Sequence, residues 1–541
     1  MQEIVSAQDL SARDRRMLFW ASFLSLLAAG FGFSFRVAMG GDYRVEFGLS
    51  NQQVGEVFGA SLWPIAITMV GFSLVVDRIG YKIPMYIAFA LQVVSGVGTF
   101  FADSYMALYG FALCAGLGHG IVEAVINPIC AAVYPKAKTK WLTYLHAAWP
   151  AGLVLGTLMI IGAESLFDGW RVHALWIVLP ALAYAVMYGP CRFPVDERVQ
   201  AGVPYIEMLR QVGFLGAALS AFMMVYEIGN QVDHLTEWKR PENWFTLSLI
   251  AGGAIGAVFG LWTRALGKPL FFLLCLLMIP VATAELGTDG WIKKLMTPVL
   301  ENLKVNPAFA LVFSAFIMLV FRVFAGGILR IMSPPVLLCV SGVFSAIGLY
   351  WLAGASGVAI LVAFVLYALG QTYYWPCVLG FVSERFPEGG ALTLNTVSAI
   401  GLLSAGIIAT PVLGVAFDRS IRAAVATEAP PLAEAATADA SFLWMQHQKI
   451  DPGAAEAFIE DLDEPDRAET QSVYDKCDAK AGRDALRFAA CFPAVLVVVF
   501  GMIALYFRSG GGYRPVELRI RQEPGIPPKP DSNQQTEETQ R

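Results

Sequence analysis

Charged residues are scarce in this sequence. Asp, Glu, Lys and Arg make up 15% of the 541 residues, hydrophobic residues make up 56%, and the mean hydropathy is +0.58. These values exclude an ordinary soluble domain, in which about a quarter of the residues are charged. The sequence also lacks a basic patch and any dinucleotide, Walker or zinc motif. We therefore expect no nucleic-acid partner, no cofactor, no metal and no enzymatic activity.

Cysteine is present without the pattern of a disulfide framework. Of the eight cysteines, Cys191 lies at the end of an apolar segment and only Cys477 lies in a long polar loop, where it has no obvious partner. The others lie within apolar segments: Cys114, Cys130, Cys275, Cys339, Cys377 and Cys491.

Long apolar segments are what the chain has in abundance. A helix that crosses a bilayer needs roughly 20 apolar residues, because hydrocarbon offers no partner for backbone N–H and C=O groups. Fourteen stretches meet this requirement and predict an all-α polytopic membrane protein: 17–39, 54–76, 83–101, 105–133, 141–163, 171–189, 211–230, 245–263, 269–288, 308–328, 335–354, 357–382, 391–416 and 488–508.

The distribution of Lys and Arg predicts how the chain is oriented. Short connections carry more of these residues when the N-terminus is placed in the cytoplasm, and an even number of spans then places the C-terminus there too. This favours an integral protein of the cytoplasmic membrane. The acidic, Ala-rich segment 418–487 is predicted to be an outer surface insertion with only short helices, and the polar, Pro-rich tail 509–541 is predicted to be disordered.

Two distant segments of the chain resemble each other. "GLGHGIVEAVINPICAAVYP" aligns without a gap with "ALGQTYYWPCVLGFVSERFP", so that Glu123 corresponds to Trp375 and Pro135 to Pro387. Both segments are followed by Leu-Thr and a helix rich in Gly and Ala. Repeated halves are typical of secondary transporters, which bind substrate between the halves near the membrane midplane.

The connection between the second and third spans carries a second signal. "GFSLVVDRIGYK" resembles the loop signature of the major facilitator superfamily, with Ser73 in place of its leading Gly and Tyr81 in place of an Arg. Asp77, Arg78 and Lys82 are expected to form a tight cytoplasmic turn that acts as a gating loop.

Within that superfamily, the closest resemblance is to the fucose/galactose/glucose proton symporters. It rests on "GHGIVEAVINP", "YPKAKTKWLTYLHAAWPAGLVLG" and "AELGTDGWI". The resemblance implies a major facilitator fold that works by alternating access and functions as a monomer. The domains would be six-helix halves at 1–190 and 269–508 around a central insert, 191–268, that adds two helices.

Glu123 is the polar residue that stands out in the fourth span. A carboxylate at the membrane midplane is costly, by about 2.5 to 3.5 kcal/mol on insertion scales, so it should face a partner or a wet cavity, or carry a proton. The resemblance implicates it in proton and substrate handling, and the alternative is a structural ion pair or a hydrogen bond in helix packing. His119 and Asn127 lie one turn to either side and share its helix face. His119 could instead form a bond between helices.

Arg36 in the first span departs from the resembling family, whose symporters carry an acid in this helix. It could pair with Glu123, bind an anionic substrate, or extend its guanidinium group to the membrane surface. Arg322 in the tenth span could be a gating or anion-binding residue, or the partner in an inter-helix ion pair. Asp289 is expected at the outer interface.

Several further residues are candidates for binding a neutral polyol. Glu285 and Gln371 could hydrogen-bond its hydroxyl groups, and aromatic rings could stack on its apolar faces. Packing without a ligand is the alternative for the aromatic run. The remaining candidates are Tyr373, Tyr374 and Trp375 in "GQTYYWP", His146 and Trp149 in the fifth span, and Asn395 as their counterpart in the second half.

These observations favour a secondary transporter that moves a small polar solute, a sugar or polyol, together with protons. The alternatives are an organic-anion carrier, indicated by Arg36 and Arg322, or a drug-type efflux pump. A membrane sensor that uses 418–487 as a binding module is a different class, and the buried acid disfavours it.

Overall fold

The computed structural model describes residues 6–7, 9–163, 169–302, 304, 309–443 and 445–518. Nine α-helices come before the central insert in this part of the chain. They are α1 (Ala12–Phe47), α2 (Asn51–Ala60), α3 (Trp63–Ile79), α4 (Lys82–Phe101), α5 (Tyr105–Val133), α6 (Lys138–His146), α7 (Ala148–Ala163), α8 (Arg171–Ala174) and α9 (Val178–Tyr188).

The insert and the second half also consist mainly of α-helices. The insert contains α10 (Glu197–Gln200), α11 (Tyr205–Leu235) and α12 (Trp244–Thr263). The helices after it are α13 (Pro269–Ala282), α14 (Asp289–Asn302), α15 (Phe309–Ile328), α16 (Pro334–Gly354), α17 (Ala359–Gln371), α18 (Tyr374–Arg385), α19 (Gly390–Ser404) and α20 (Thr410–Glu428). The chain ends with α21 (Pro430–Ala436), β1 (Thr437–Phe442), β2 (Met445–Ile450), α22 (Pro452–Glu460), α23 (Asp466–Ala489) and α24 (Cys491–Ser509).

Fourteen helical stretches of the described residues are long and apolar enough to cross a membrane. They overlap the fourteen predicted segments one for one, so this prediction is confirmed. Several stretches extend further than predicted, as in Ala12–Phe47 and Asp466–Ser509. We call the side of the bundle where α1 begins the terminal side, since α24 also ends there, and the opposite side the loop side.

The internal repeat is visible in the backbone. After α5, Tyr134 leaves the helix with φ −124° and ψ 58°, and a 3-10 turn, Pro135–Ala137, follows. After α18, Phe386 takes nearly the same angles, φ −126° and ψ 49°, before the 3-10 turn Pro387–Gly389. The weak sequence match therefore corresponds to a repeated structural unit.

Glycines allow α1 and α7 to pack closely. A Cβ atom on Gly30 would lie 2.5 Å from the carbonyl oxygen of Trp149, and one on Gly152 would lie 2.3 Å from that of Leu27. Small residues at helix crossings are a common feature of membrane bundles, because they bring the backbones together. The crossing fixes Trp149 beside the first helix.

The insert contacts both halves of the bundle. On the terminal side, the Gln211 amide donates a hydrogen bond to Glu388 Oε2 at 2.7 Å. Near the loop-side end of α11, the Tyr109 hydroxyl group of α5 donates to Gln231 Oε1 at 3.0 Å. The two extra helices are therefore bound to the rest of the bundle at both ends of α11.

The segment 418–487 has more structure than the sequence predicted. The helix α20 continues through Glu428, β1 and β2 form an antiparallel hairpin, and α23 runs for 24 residues. The prediction of only short helices was wrong, because alanines and charged residues at helical spacing form a long helix that the apolar pattern does not reveal. The segment has a small hydrophobic core of its own, which includes Ile421, Leu432, Ile450, Ile459 and Cys477.

The first residues of the predicted disordered tail are ordered against the second half. The Tyr513 hydroxyl group donates to Glu384 Oε2 at 2.7 Å, and the Val516 N–H donates to the Glu384 carbonyl at 2.8 Å. The tail prediction was wrong for these residues, because aromatic contacts with Phe381 and Phe507 hold the chain. Residues 519–541 lie outside the described part of the chain.

Candidate functional site

Glu123 lies on α5 and is buried. The Asn127 amide donates hydrogen bonds to Glu123 Oε2 at 2.8 Å and to the Glu123 carbonyl oxygen at 3.1 Å. His119 Nε2 lies 3.8 Å from Glu123 Oε1. The three side chains therefore meet on one face of α5, as their spacing predicts.

Helices α6 and α7 add two side chains to this face. His146, at the end of α6, contacts Asn127 Oδ1 through Nε2 at 3.0 Å, and the rings of His119 and Trp149 stack with centroids 5.1 Å apart. Because the Asn127 amide nitrogen faces Glu123, its oxygen must accept, so His146 carries a proton on Nε2. We call His119, Glu123, Asn127, His146 and Trp149 the first-half cluster.

Glu285 lies in a π-helical turn, Thr283–Gly287, that follows α13. Arg322 of α15 reaches it with Nη2 3.3 Å from Oε1, and both side chains are buried. Arg322 Nε also donates to the Thr372 carbonyl at 2.9 Å. The structure therefore places Arg322 in an inter-helix ion pair, one of the roles that the sequence left open.

Arg322 also joins the two halves. Its Nη1 atom donates to the His146 carbonyl oxygen at 2.8 Å, which links α15 to the first-half cluster. A guanidinium group can make this contact and the Glu285 contact together because its donors point in different directions. The ion pair and the first-half cluster thus form one continuous polar site between the halves.

Gln371 and part of Glu285 have unused hydrogen-bonding capacity. Gln371 is fully buried, and within the described residues neither of its amide atoms has a hydrogen-bond partner. The same holds for Glu285 Oε2. Buried polar atoms are normally paired, so such atoms suggest a place for a ligand or for water.

The three aromatic residues of "GQTYYWP" differ in their contacts and in their burial. The Tyr373 hydroxyl group donates to the Phe321 carbonyl at 2.9 Å, and the Tyr374 hydroxyl group lies toward Ser345 of α16. Trp375 packs beside Gly401, where a Cβ atom would lie 2.8 Å from the Trp375 ring. Trp375 is the only one of the three aromatic side chains that is not fully buried, so it alone has ring surface to offer a ligand.

Asn395 and Arg36 do not join the polar site. The Asn395 amide donates to Ser73 Oγ at 2.8 Å and to the Ala124 carbonyl at 3.0 Å, so it ties α19 to α3 and α5. Arg36 forms no ion pair with Glu123 and instead lines a separate small cavity beside α4 and α8. The structure therefore contradicts one of the three roles left open for Arg36, the pairing with Glu123, because the side chain leaves α1 toward those helices.

The predicted gating loop is a tight connection between α3 and α4, and its residues also contact other segments. Asp77 pairs with Arg198 of the insert rather than with Arg78, whose guanidinium group lies 5.7 Å from the centre of the Tyr205 ring. Lys82 Nζ donates to the Gly189 carbonyl at 2.8 Å. The loop is therefore held to the start of the insert and not only to itself.

Asp196 strengthens this terminal-side contact and was not identified from the sequence. It accepts hydrogen bonds from the Tyr81 hydroxyl group at 3.2 Å and from the Arg198 N–H at 2.9 Å. Burial, together with the negative charge of Asp77, raises the pKa of Asp196 to about 6. No motif or spacing in the sequence marks this residue.

A direct contact between the halves was also missed. Thr139 of α6 donates to Glu384 Oε1 of α18 through its N–H at 3.1 Å and its hydroxyl group at 2.5 Å. Lys138 Nζ donates to the Ser383 carbonyl at 3.2 Å. Lys138 and Thr139 begin α6 after the 3-10 turn that follows α5, and Ser383 and Glu384 lie near the end of α18. Their position beside the two repeated segments is the signal that could have identified them.

Among the described residues, no group of three or more His, Cys, Asp or Glu side chains could hold a metal ion.

Comparisons with known proteins agree on one fold. The sequence profile of the Major Facilitator Superfamily matches residues 18–411. No curated protein matches the sequence.

Three solved structures illustrate the shared fold. The proton:xylose symporter XylE of Escherichia coli, bound to 6-bromo-6-deoxy-D-glucose, is 14% identical, with 90% of this chain and 95% of that chain covered and a TM-score of 0.58. A variant of the E. coli fucose:proton symporter FucP is 11% identical, with 90% and 98% covered and a TM-score of 0.53. The human organic anion transporter MFSD10 is 11% identical, with 90% and 99% covered and a TM-score of 0.54. At these identities the similarity shows the fold alone.

Proposed function

The chain belongs to the Major Facilitator Superfamily and is a membrane transporter rather than an enzyme, and we propose that it carries a sugar or polyol together with protons. The solute would bind between the halves 1–190 and 269–508, which would rock against each other around it. Both chain ends would face the cytoplasm. Because the polar site lies within one chain, a monomer would suffice.

The observation that carries the proposal is the pair of unsatisfied groups in the second half. The Gln371 amide can donate and accept, and Glu285 Oε2 can accept, so together they match the hydroxyl groups of a neutral polyol. Trp375 offers the nearby ring surface on which a sugar face can stack. The proton-coupled sugar carriers of the same fold are consistent with this choice.

Glu123 is the proposed proton carrier. It is buried, it is not paired with an arginine among the described residues, and its side-chain contacts there include the Asn127 amide and the His119 ring. Protonation would remove its charge at little structural cost, because an amide neighbour can hydrogen-bond either form. The chain of contacts from Glu123 through Asn127 and His146 to Arg322 would relay this change to the second half.

The test is proton uptake by proteoliposomes that have no ion gradients. External pH is recorded as neutral sugars are added in turn, and alkalinisation by one sugar indicates proton symport. Glu123→Gln should abolish the pH change while sugar binding persists. Glu227→Gln is the matched control: Glu227 is also an acid within a predicted span with an amide one turn away, Gln231 at 2.7 Å, but it lies outside the site.

Two results would contradict the proposal. A sugar that binds and moves without a pH change would rule out proton coupling. An equal loss of proton uptake in the Glu123 and Glu227 variants would show that Glu123 has no special role.

An organic anion is a less well supported solute. The human carrier with this fold transports organic anions, but Arg322 is already neutralised by Glu285 and Arg36 lies outside the polar site. If small carboxylic acids rather than sugars caused alkalinisation, an organic anion would replace a sugar or polyol as the proposed solute.

A further inference from the structure

A small cavity lies in the first half, apart from the polar site. It is enclosed by α1, α4 and the α8 region, and its walls include Arg36, Ser95, Thr99 and His173. Its free space corresponds to about one water molecule or one monatomic ion. None of the first-half cluster lines it.

Arg36 is the wall residue with unused hydrogen-bonding capacity on the side of α1. Arg36 Nε is buried and has no hydrogen-bond partner in the described residues, and Arg36 forms no ion pair there. Ser95 and Thr99 of α4 are buried and line the cavity opposite α1. One cation and two hydroxyl-bearing side chains therefore line the same small cavity.

The shape of the cavity is set by two glycines. A Cβ atom on Gly32 would lie 2.6 Å from Ile177 Cδ1, and one on Gly96 would lie 2.8 Å from the Ala174 carbonyl oxygen. The helices therefore pack closely around the cavity, which cannot widen for an organic ligand without moving them. Thr99 and His173 lie near the loop-side ends of their helices, so a small ion could reach the cavity from that side.

We propose that this cavity is a binding site for one monatomic anion, chloride in a physiological solution, held by Arg36, Ser95 and Thr99. A guanidinium group in a region of low dielectric constant is stabilised most by a negative charge in direct contact, and charge-assisted hydrogen bonds are stronger than neutral ones. A water molecule could satisfy the donors but would leave the positive charge uncompensated. The site would link α1 to α4 across the cavity and is separate from the proposed sugar site.

The test compares chloride with gluconate, an anion too large for the cavity. Thermal unfolding of the full-length protein in lipid nanodiscs is measured in a series of buffers. Their ionic strength is constant, and chloride replaces an increasing share of the gluconate. We expect the midpoint of thermal unfolding to rise with chloride and to saturate. Arg36→Gln should abolish the response, and Thr99→Val should raise the half-saturating chloride concentration about threefold, because one hydroxyl donor is lost. Arg44→Gln, which removes the same charge from an exposed position of α1, should respond as the wild type does.

Bromide locates the site directly. Its anomalous scattering in a crystal should give a peak within hydrogen-bonding distance of Arg36 and Thr99. If Arg36→Gln does not fold, the wild-type titration, Thr99→Val and the bromide peak decide the question. Equal midpoints in chloride and gluconate, equal responses of the Arg36 and Arg44 variants, or a bromide crystal without that peak would overturn the proposal and leave a cavity that holds water only.

Discussion

At the scale of single residues, the pairing of Arg322 with Glu285 changes how the site is interpreted. The sequence identified both residues but could not show that they pair with each other, because they lie 37 positions apart on separate helices. An arginine alone suggests an anionic substrate, whereas an arginine paired with a glutamate is neutral overall and favours an uncharged one. The amide of Gln371 then becomes the group with most hydrogen-bonding capacity left for a ligand.

Replacing Gln371 by Leu should separate stability from binding. A buried amide without partners costs free energy, so its loss should leave the protein as stable as the wild type or raise the free energy of unfolding by about 1 kcal/mol. Sugar affinity should fall about tenfold or more, because a site built to hydrogen-bond a hydroxyl group loses that bond. Thermal unfolding and sugar binding by calorimetry measure the two effects.

Gln92→Leu is the control for this prediction. Gln92 is equally buried, but its Oε1 accepts a hydrogen bond from Tyr184 at 3.0 Å, and it is not part of the polar site. Its replacement should lower stability and leave sugar affinity unchanged. If both variants lose stability while both retain affinity, Gln371 is a packing residue.

At the scale of helices, three residues in or beside the site lie where regular helices are interrupted. Glu285 lies in a π-helical turn, His146 ends α6, and Tyr373 separates α17 from α18. Such interruptions are frequent at functional sites, because they redirect side chains and free backbone groups. A hydropathy window averages over these breaks, so the sequence located the spans but not the interruptions.

The helix α11 contains a break of a different kind. Gly213 has φ +54° and ψ −161°, and the backbone groups around it bond to the connection after α12: Phe214 N–H to the Ala265 carbonyl at 3.0 Å and Lys268 N–H to the Gln211 carbonyl at 3.1 Å. The connection passes so close that a Cβ atom on Gly213 would lie 2.1 Å from Gly267 N. The two inserted helices therefore fold as a unit around this glycine.

Gly213→Ala should lower the free energy of unfolding by at least about 2 kcal/mol, because it adds both backbone strain and a backbone clash. Gly253→Ala is the control within the same insert: no atom lies within 4 Å of its Cβ position, so helix propensity should give a gain of about 0.5 to 1 kcal/mol. Thermal midpoints of the two purified variants should therefore move in opposite directions. A Gly213 variant as stable as the wild type would show that the break is not needed.

At the scale of the whole molecule, the sequence predicts the features that are specified locally and misses the contacts between residues far apart in the chain. Each spanning helix is specified locally, because a bilayer requires a long apolar run for every crossing. The contacts between halves join residues far apart in the chain, as Thr139 and Glu384 do. No local pattern encodes them, and the same is true of the contact between Asp77 and Arg198.

The contacts on the terminal side close the carrier there. Thr139 and Lys138 of the first half bond to Glu384 and the Ser383 carbonyl of the second. Alternating access requires that these bonds break when the site opens to the terminal side. Cys377 reports on this change, since it is fully buried and lies against Thr143 across the interface, two helical turns before Glu384.

Glu384→Ala should favour the state that is open on the terminal side. Removal of the carboxylate leaves Thr139 without its partner, and hydrogen bonds to a charged group contribute about 1.5 to 3 kcal/mol, enough to shift a two-state equilibrium more than tenfold. The rate at which a small maleimide modifies Cys377, followed by peptide mass spectrometry, should rise accordingly. Glu388→Ala, which breaks only the bond to Gln211 of the insert, should leave that rate unchanged. Equal rates in all three proteins would mean that the Thr139–Glu384 contact does not hold the terminal side closed, and the insert or the gating loop would have to supply the closing interaction.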